Sequence, residues 1–244
     1  MGYSFTAASA HKITYPHQSS FDGLSKLSVS VWLKPSSTQD LGGIVCQMGG
    51  NITGSGSRSG FGLYHAGTNA QDLNARARND TTSPSAASSG NSMALNSWHH
   101  ILWVYDGTQA TNANRSKVYL DGVALSLTHT GTHSTTLGTN DRALKLGQAD
   151  DGWDKYVTCV IAEVALWAGV SITDSGEIAN LAAGYYPNVA RPTDLTFYAP
   201  LSSNANDTIG GVVGTVTGAT IGDHPTMTGG VGAGAPVPQI IFIN

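Results

Sequence analysis

Hydrophobic residues recur at every second position along much of this chain, and that period restricts the fold more than any other feature. Successive side chains of an extended strand point to opposite faces of a sheet, so alternation marks a strand with one buried face. In "LSVSVWLKP", Leu27, Val29, Val31 and Leu33 fall on one face, with Ser28, Ser30 and Lys34 opposite. Pro35 closes that strand, because it has no N–H to give to a ladder. In "LNSWHHILWVYDG", Ile101, Trp103 and Tyr105 share one face, while Leu102 and Val104 make the other apolar too. A strand apolar on both faces belongs near the middle of a layered sandwich. "KVYLDGVAL" places Asp121-Gly122 between two apolar runs, a strong local hairpin signal. "YVTCVIAEVALW" reads as another long buried strand.

Helical signal is strong once. "ITDSGEIANLAAG" offers Asp174 as N-cap, Glu177 three residues later as its capping-box partner, and Gly184 as the stop, which predicts a helix over about 174–183. "NITGSGSRSG" and "RNDTTSPSAASSG" lack periodicity and concentrate turn residues, so they read as loops. No repeat of fixed period is present. With 244 residues and 40% hydrophobic content, the chain can bury one sizeable core. The reading is all-β: a two-sheet antiparallel sandwich with one short helix, in a domain spanning 1–228 whose closing strands lie at about 194–221. Residues 229–244 form an extended C-terminal tail.

Charged residues make up 11% of the chain, against roughly 25% in average globular proteins. A net charge of −4 and the lack of any Lys/Arg cluster remove the electrostatic footprint that nucleic acid requires. The longest apolar run, "CVIAEVALWAGV", is interrupted by Glu163 and falls short of the ~20 residues that cross a bilayer. Neither nucleic acid nor membrane is expected as a partner. The opening "GYSFTAASAHKITYP" has neither the basic nor the apolar region of a secretory signal, so export by that route is not expected. Cys46 and Cys159 sit inside strand-like runs and read as buried reduced thiols. Sequons begin at Asn51, Asn79, Asn114 and Asn206, which matter only in a eukaryotic secretory product.

The order "LSVSVWLKP", "GFGLYHAG", "NSWHHILWVYDG", "KVYLDGVAL", "RALKLGQ", "CVIAEVALWAGVSITDSGEIANLAAG" resembles the laminin-G-like group of concanavalin A-like sandwiches, from about Phe5 to Gly184. The resemblance implies a jelly-roll sandwich of two antiparallel sheets. One departure stands out: "LTFYAPLSSNANDTIGGVVGTVTG" looks like an element that opens many family members, yet here it comes last. Domain ends often lie close together, so the rearrangement costs little. The resemblance also places His99 and His100 in a core strand. Consecutive strand residues face opposite ways and cannot readily converge on one ion, so the pair reads as scaffold.

Glycoside hydrolases of this fold use two carboxylates, usually in a Glu-x-Asp-x-x-Glu strand. The chain has only Glu163 and Glu177, neither in that pattern, and the common nucleophile-elbow, zinc-helix and phosphate-loop motifs are missing. The expectation is a non-enzymatic protein. "QADDGWDKY" gathers Asp150, Asp151 and Asp154, a set of hard oxygens suited to Ca²⁺, unless it is a solvated acidic turn. Trp153 is a candidate for stacking on a sugar ring or for folding over the core, with Arg58 and Tyr64 on the same rim. Ile240, Ile241, Phe242 and Ile243 end a Gly/Pro-rich tail, and four consecutive apolar groups call for burial, by preference in a neighbouring copy. Two functions compete. The first is a virion surface protein, such as a bacteriophage capsid-decorating protein, whose partners are copies of itself or a major capsid protein, with surface glycans as further ligands. The alternative is a carbohydrate-binding or adhesion module at an extracellular or cell surface.

Overall fold

A computed structural model describes residues 1–37, 41–50, 58–66, 72–79, 84–88, 93–149 and 155–228. In chain order the strands and helices are β1 (Gly2–Phe5), β2 (Lys12–Tyr15), β3 (Lys26–Pro35), β4 (Gly42–Gly50), β5 (Arg58–Ala66), β6 (Asp72–Arg78), β7 (Ser85–Ala87), β8 (His99–Asp106) and α1 (Asn112–Arg115). They continue with β9 (Ser116–Leu120), β10 (Val123–Ala124), β11 (Thr128–Thr130), β12 (Leu144–Leu146), β13 (Cys159–Ala168), α2 (Ser175–Ala182), α3 (Pro187–Ala190), β14 (Leu195–Ala199), β15 (Thr215–Thr217) and β16 (Thr220–Gly222). Among the described residues no helix is long and apolar enough to cross a membrane.

These strands form two antiparallel sheets of eight. The first runs β10-β9-β8-β3-β13-β1-β16, with β14 also on β13; the second runs β11-β7-β6-β5-β4-β12-β2-β15. Their inner faces meet in one core, and the alternating sets read from sequence line it: Leu27, Val29, Val31 and Leu33 from β3, and Ile101, Trp103 and Tyr105 from β8. Each fully buried side chain of this kind contributes about 1.5–3 kcal/mol relative to exposure. Leu102 and Val104 face outward, where they join Trp167, Ile178, Leu181 and Tyr198 in a second cluster beneath α2. β8 is therefore apolar on both faces because both faces are covered.

Local signals hold at the expected places. Asp121 (φ 50°) and Gly122 (φ 81°) make the left-handed pair of a tight β9–β10 turn. The Asp121 carboxylate also accepts from the backbone N–H of His100 at 2.8 Å, which ties the turn to the start of β8. Asp174 caps α2 by accepting from the Glu177 N–H at 2.9 Å, whereas the Glu177 carboxylate turns instead to Arg191, 2.6 Å away. Both cysteines are buried and unbridged, and burial pushes the Cys159 thiol up from its ordinary pKa.

One strand departs from simple alternation. Between Ala162 and Ala165, β13 carries one more residue than β3 opposite, a β-bulge, and Glu163 there adopts φ 53°. Inward positions accordingly shift from Cys159 and Ile161 to Val164 and Leu166. The extra residue sends the Glu163 carboxylate, 1% exposed, to the outer face. There it accepts from the Tyr198 hydroxyl and meets His224 Nε2 at 3.0 Å. The His224 Nδ1 lies 2.8 Å from the Pro225 carbonyl, so both ring nitrogens face oxygen atoms.

Candidate functional site

The two outer faces of the sandwich differ in what covers them. The first sheet lies under α2 and the segment Asp223–Thr228, whereas among the described residues no helix of eight residues or more packs on the second. On the second sheet, β6 alternates Leu73, Ala75 and Ala77 into the core with Asn74, Arg76 and Arg78 on the outer face. The next strand, β5, sends Phe61 and Leu63 inward and leaves Gly60, Gly62 and Tyr64 outward. Glycine at position 62 is required by space, because a Cβ there would overlap the Tyr64 ring. The Arg76 guanidinium stands 5.1 Å from that ring's centroid, a cation–π pair, and its Nε donates to Asn74 Oδ1 at 2.9 Å. The Tyr64 hydroxyl reaches Met48 Sδ at 3.4 Å.

Tyr64 also packs with Cys46 and Ala149, and with Leu41 beside them. Ala149 opens the acidic loop. Its N–H donates to the Lys155 carbonyl at 2.7 Å, so residues 149 and 155 close the base of that loop. The base presses on β4: a Cβ at Gly43 would overlap the backbone of Gln148 and Ala149, and the Gly43 N–H donates to the same Lys155 carbonyl at 3.3 Å. Gln148 Nε2 donates to the Tyr156 hydroxyl at 3.2 Å across the paired arms. Asp150, Asp151, Trp153 and Asp154 lie outside the described residues, as do Ile240, Ile241, Phe242 and Ile243.

The structure thus brings the base of the Asp150–Asp154 loop to Tyr64, whose side chain is fully buried. Arg58 shares the outward face of β5 but starts the strand, six residues or about 20 Å away. It belongs to the opposite end, where Arg142 lies along Gly49 and the Asn140 amide stands 2.7 Å from where a Gly60 Cβ would be. Arg58, Arg76, Arg78, Arg142 and Lys145, five of the chain's 12 Lys and Arg, line this face or its rim. Asn74, Arg76 and Arg78 were not singled out from sequence, although "DLNARAR" carries a period-two pattern that could have found them.

The remaining chemistry-bearing groups have structural partners. His100 is buried, with Nε2 2.9 Å from Ser30 Oγ, and burial pushes its pKa down to about 4. His99 bonds Asp121 Oδ2 through Nδ1 at 2.7 Å, and that hydrogen bond raises its pKa. His129 and His133 face each other at 3.2 Å near the far edge. Glu163 is held by Tyr198 and His224, and Glu177 by Arg191. Among the described residues no group of three or more His, Cys, Asp or Glu is placed to hold a metal.

Residues 7–174 match the Laminin_G_3 family model, described as the concanavalin A-like lectin/glucanases superfamily. No curated protein matches the chain. Among solved structures, a Bacteroides ovatus protein described as carbohydrate binding is 15% identical with a TM-score of 0.63, over 90% of this chain and 58% of that one. This chain therefore spans less than two thirds of its length. The CBM40 of the Ruminococcus gnavus IT-sialidase is 13% identical over 73% of this chain and 95% of its own, with a TM-score of 0.54. The same module bound to α2,3-sialyllactose gives a TM-score of 0.53 at 13% identity, over 73% of this chain and 94% of its own. At such identities the likeness concerns the fold.

Proposed function

Because the chain belongs to the Laminin_G_3 family of the concanavalin A-like lectin/glucanase superfamily, we propose that it is a non-catalytic glycan-binding or adhesion module. Its binding surface is the outer face of the second sheet together with the loop that closes on Tyr64. The observation that carries this reading is the Tyr64–Arg76–Asn74 floor, set against the base of the 150–154 loop. Buried aromatic and guanidinium groups fix the floor, and the rim supplies the groups that reach solvent. In this reading Trp153 stacks on a sugar ring, Asp150, Asp151 and Asp154 hold Ca²⁺, and Arg58 serves the opposite rim. The solved modules that share the fold support it, one of them bound to a sialylated sugar. An extracellular or cell-surface setting follows from the same reading. The virion setting, with a major capsid protein as partner, draws no support from the structures compared.

Retention on immobilised oligosaccharides, neutral and sialylated, measured with calcium and with a chelator, tests the proposal. Retention should be lost with Trp153→Ala and weakened by chelation. A protein that retains no glycan, or a Trp153→Ala variant that binds like wild type, refutes it; a triple Asp→Asn variant with unchanged calcium response removes the metal assignment.

A further inference from the structure

Residues 128–133, "THTGTH", carry the spacing His-x-x-x-His. His129 lies in β11, where it pairs with Ala86 of β7 at the end of the second sheet. Gly131, at φ 65°, then turns the chain so that His133 comes back to face His129. The two rings meet edge to face, with centroids 5.3 Å apart and His129 Nδ1 3.2 Å from His133 Nε2. A protonated ring nitrogen can only donate, so at least one of the two facing nitrogens presents a lone pair.

The turn that carries the pair is clamped onto α1. Asn112 bonds both of its arms: Nδ2 donates to the Gly131 carbonyl at 2.7 Å, and Oδ1 accepts from the His133 N–H at 3.0 Å. Arg115 donates through Nη1 to the His133 carbonyl at 2.7 Å and through Nε to the Gln109 carbonyl at 2.6 Å, so its charge is turned to backbone oxygens. Across the strand pair the Ser85 and Thr130 hydroxyls lie 2.7 Å apart, and the Ser85 backbone lies beside the His133 ring. His133 is 1% exposed, so its ring is held before any ligand arrives. His129 is half-buried and borders a cavity of about 240 Å³ that Lys117, Leu125 and Leu127 also line. One imidazole is fixed, and the other stands at an opening.

Zinc binds imidazole nitrogen at about 2.0–2.1 Å, and two such bonds at the tetrahedral angle hold their nitrogens about 3.3–3.4 Å apart. The observed 3.2 Å is within a small adjustment of that bite. Imidazole suits zinc, copper and nickel, whereas calcium and magnesium take oxygen donors. We infer that His129 Nδ1 and His133 Nε2 form a two-imidazole site for a divalent transition metal, zinc above all, with water completing the coordination from the cavity. The proton between the rings moves to the outer nitrogen of its own ring, so two neutral imidazoles ligate the ion without net proton release. The site lies three strands from β5, and it stands or falls independently of the glycan-binding face.

Calorimetric titration of the untagged full chain with zinc tests the inference, in excess calcium, which competes for carboxylates and not for imidazole. The protein should bind one zinc ion. Nitrogen-15 spectra should show the His129 and His133 rings responding ahead of the other six of the chain's eight histidines. His129→Gln and His133→Gln should each weaken binding by about 10–100-fold or more, with circular dichroism as the control for folding. His129→Gln, at the half-buried position, carries the test should His133→Gln unfold. No zinc uptake at millimolar metal, uptake that leaves the His129 and His133 signals in place, or a folded His129→Gln variant that binds like wild type overturns the inference.

Discussion

His100 should make the fold sensitive to mild acid. Its ring is 1% exposed in β8, against Ser30 on one side and the Trp32 ring 5.5 Å away on the other, and its Nδ1 has no hydrogen-bond partner among the described residues. Burial lowers its pKa from 6.5 to about 4. The unfolded chain then binds this proton more tightly than the folded one, so folded stability is full above pH 6.5 and declines as pH falls toward 4. With these two values, the loss attributable to His100 is about 2 kcal/mol at pH 5 and about 3 kcal/mol at pH 4. The measurement is urea denaturation at closely spaced pH values for wild type and His100→Gln, which keeps a polar side chain that cannot titrate. His133, also pushed down to about 4 by burial and then by His129, adds a slope of the same sign that both proteins share. His99 contributes the opposite sense, because its raised pKa gives stability that is lost as pH rises. The difference between the two curves isolates His100. Parallel curves between pH 7 and 4 would refute the reasoning.

Gly43→Ala should cost about 1–3 kcal/mol, because a Cβ there overlaps the backbone of Gln148 and Ala149, and it should weaken glycan retention by displacing the loop base. A variant with unchanged stability and retention would show that the loop base does not depend on that contact. Tyr198→Phe removes a donor from the buried Glu163 carboxylate and should lower the unfolding free energy by about 1–3 kcal/mol at constant denaturant slope. A change of only a few tenths would mean that His224 alone satisfies that charge.

Interactions encoded within a few residues were legible from the amino-acid order alone. Alternation assigned Leu27 to Leu33 and Ile101 to Tyr105 to the core, Asp121-Gly122 to a turn, and Asp174 to a helix cap, since each depends on periodicity or backbone geometry inside a short window. Other features needed pairing between distant segments. Glu177 suggested a closed capping box, yet Arg191, fourteen residues later, takes its carboxylate. Glu163 looked like one more residue of a buried strand, but the register of β13 against β3 makes it a bulge held by Tyr198 and His224. Tyr64 and Arg58 are near neighbours in sequence but stand at opposite ends of β5, while Ala149 meets Tyr64 from 85 residues away. Strand order and register decide which segments converge, and they arise from many weak contacts summed over the whole core. No short window of sequence contains that sum, so the scaffold could be read residue by residue while the Tyr64–Arg76–Asn74 cluster emerged only in three dimensions.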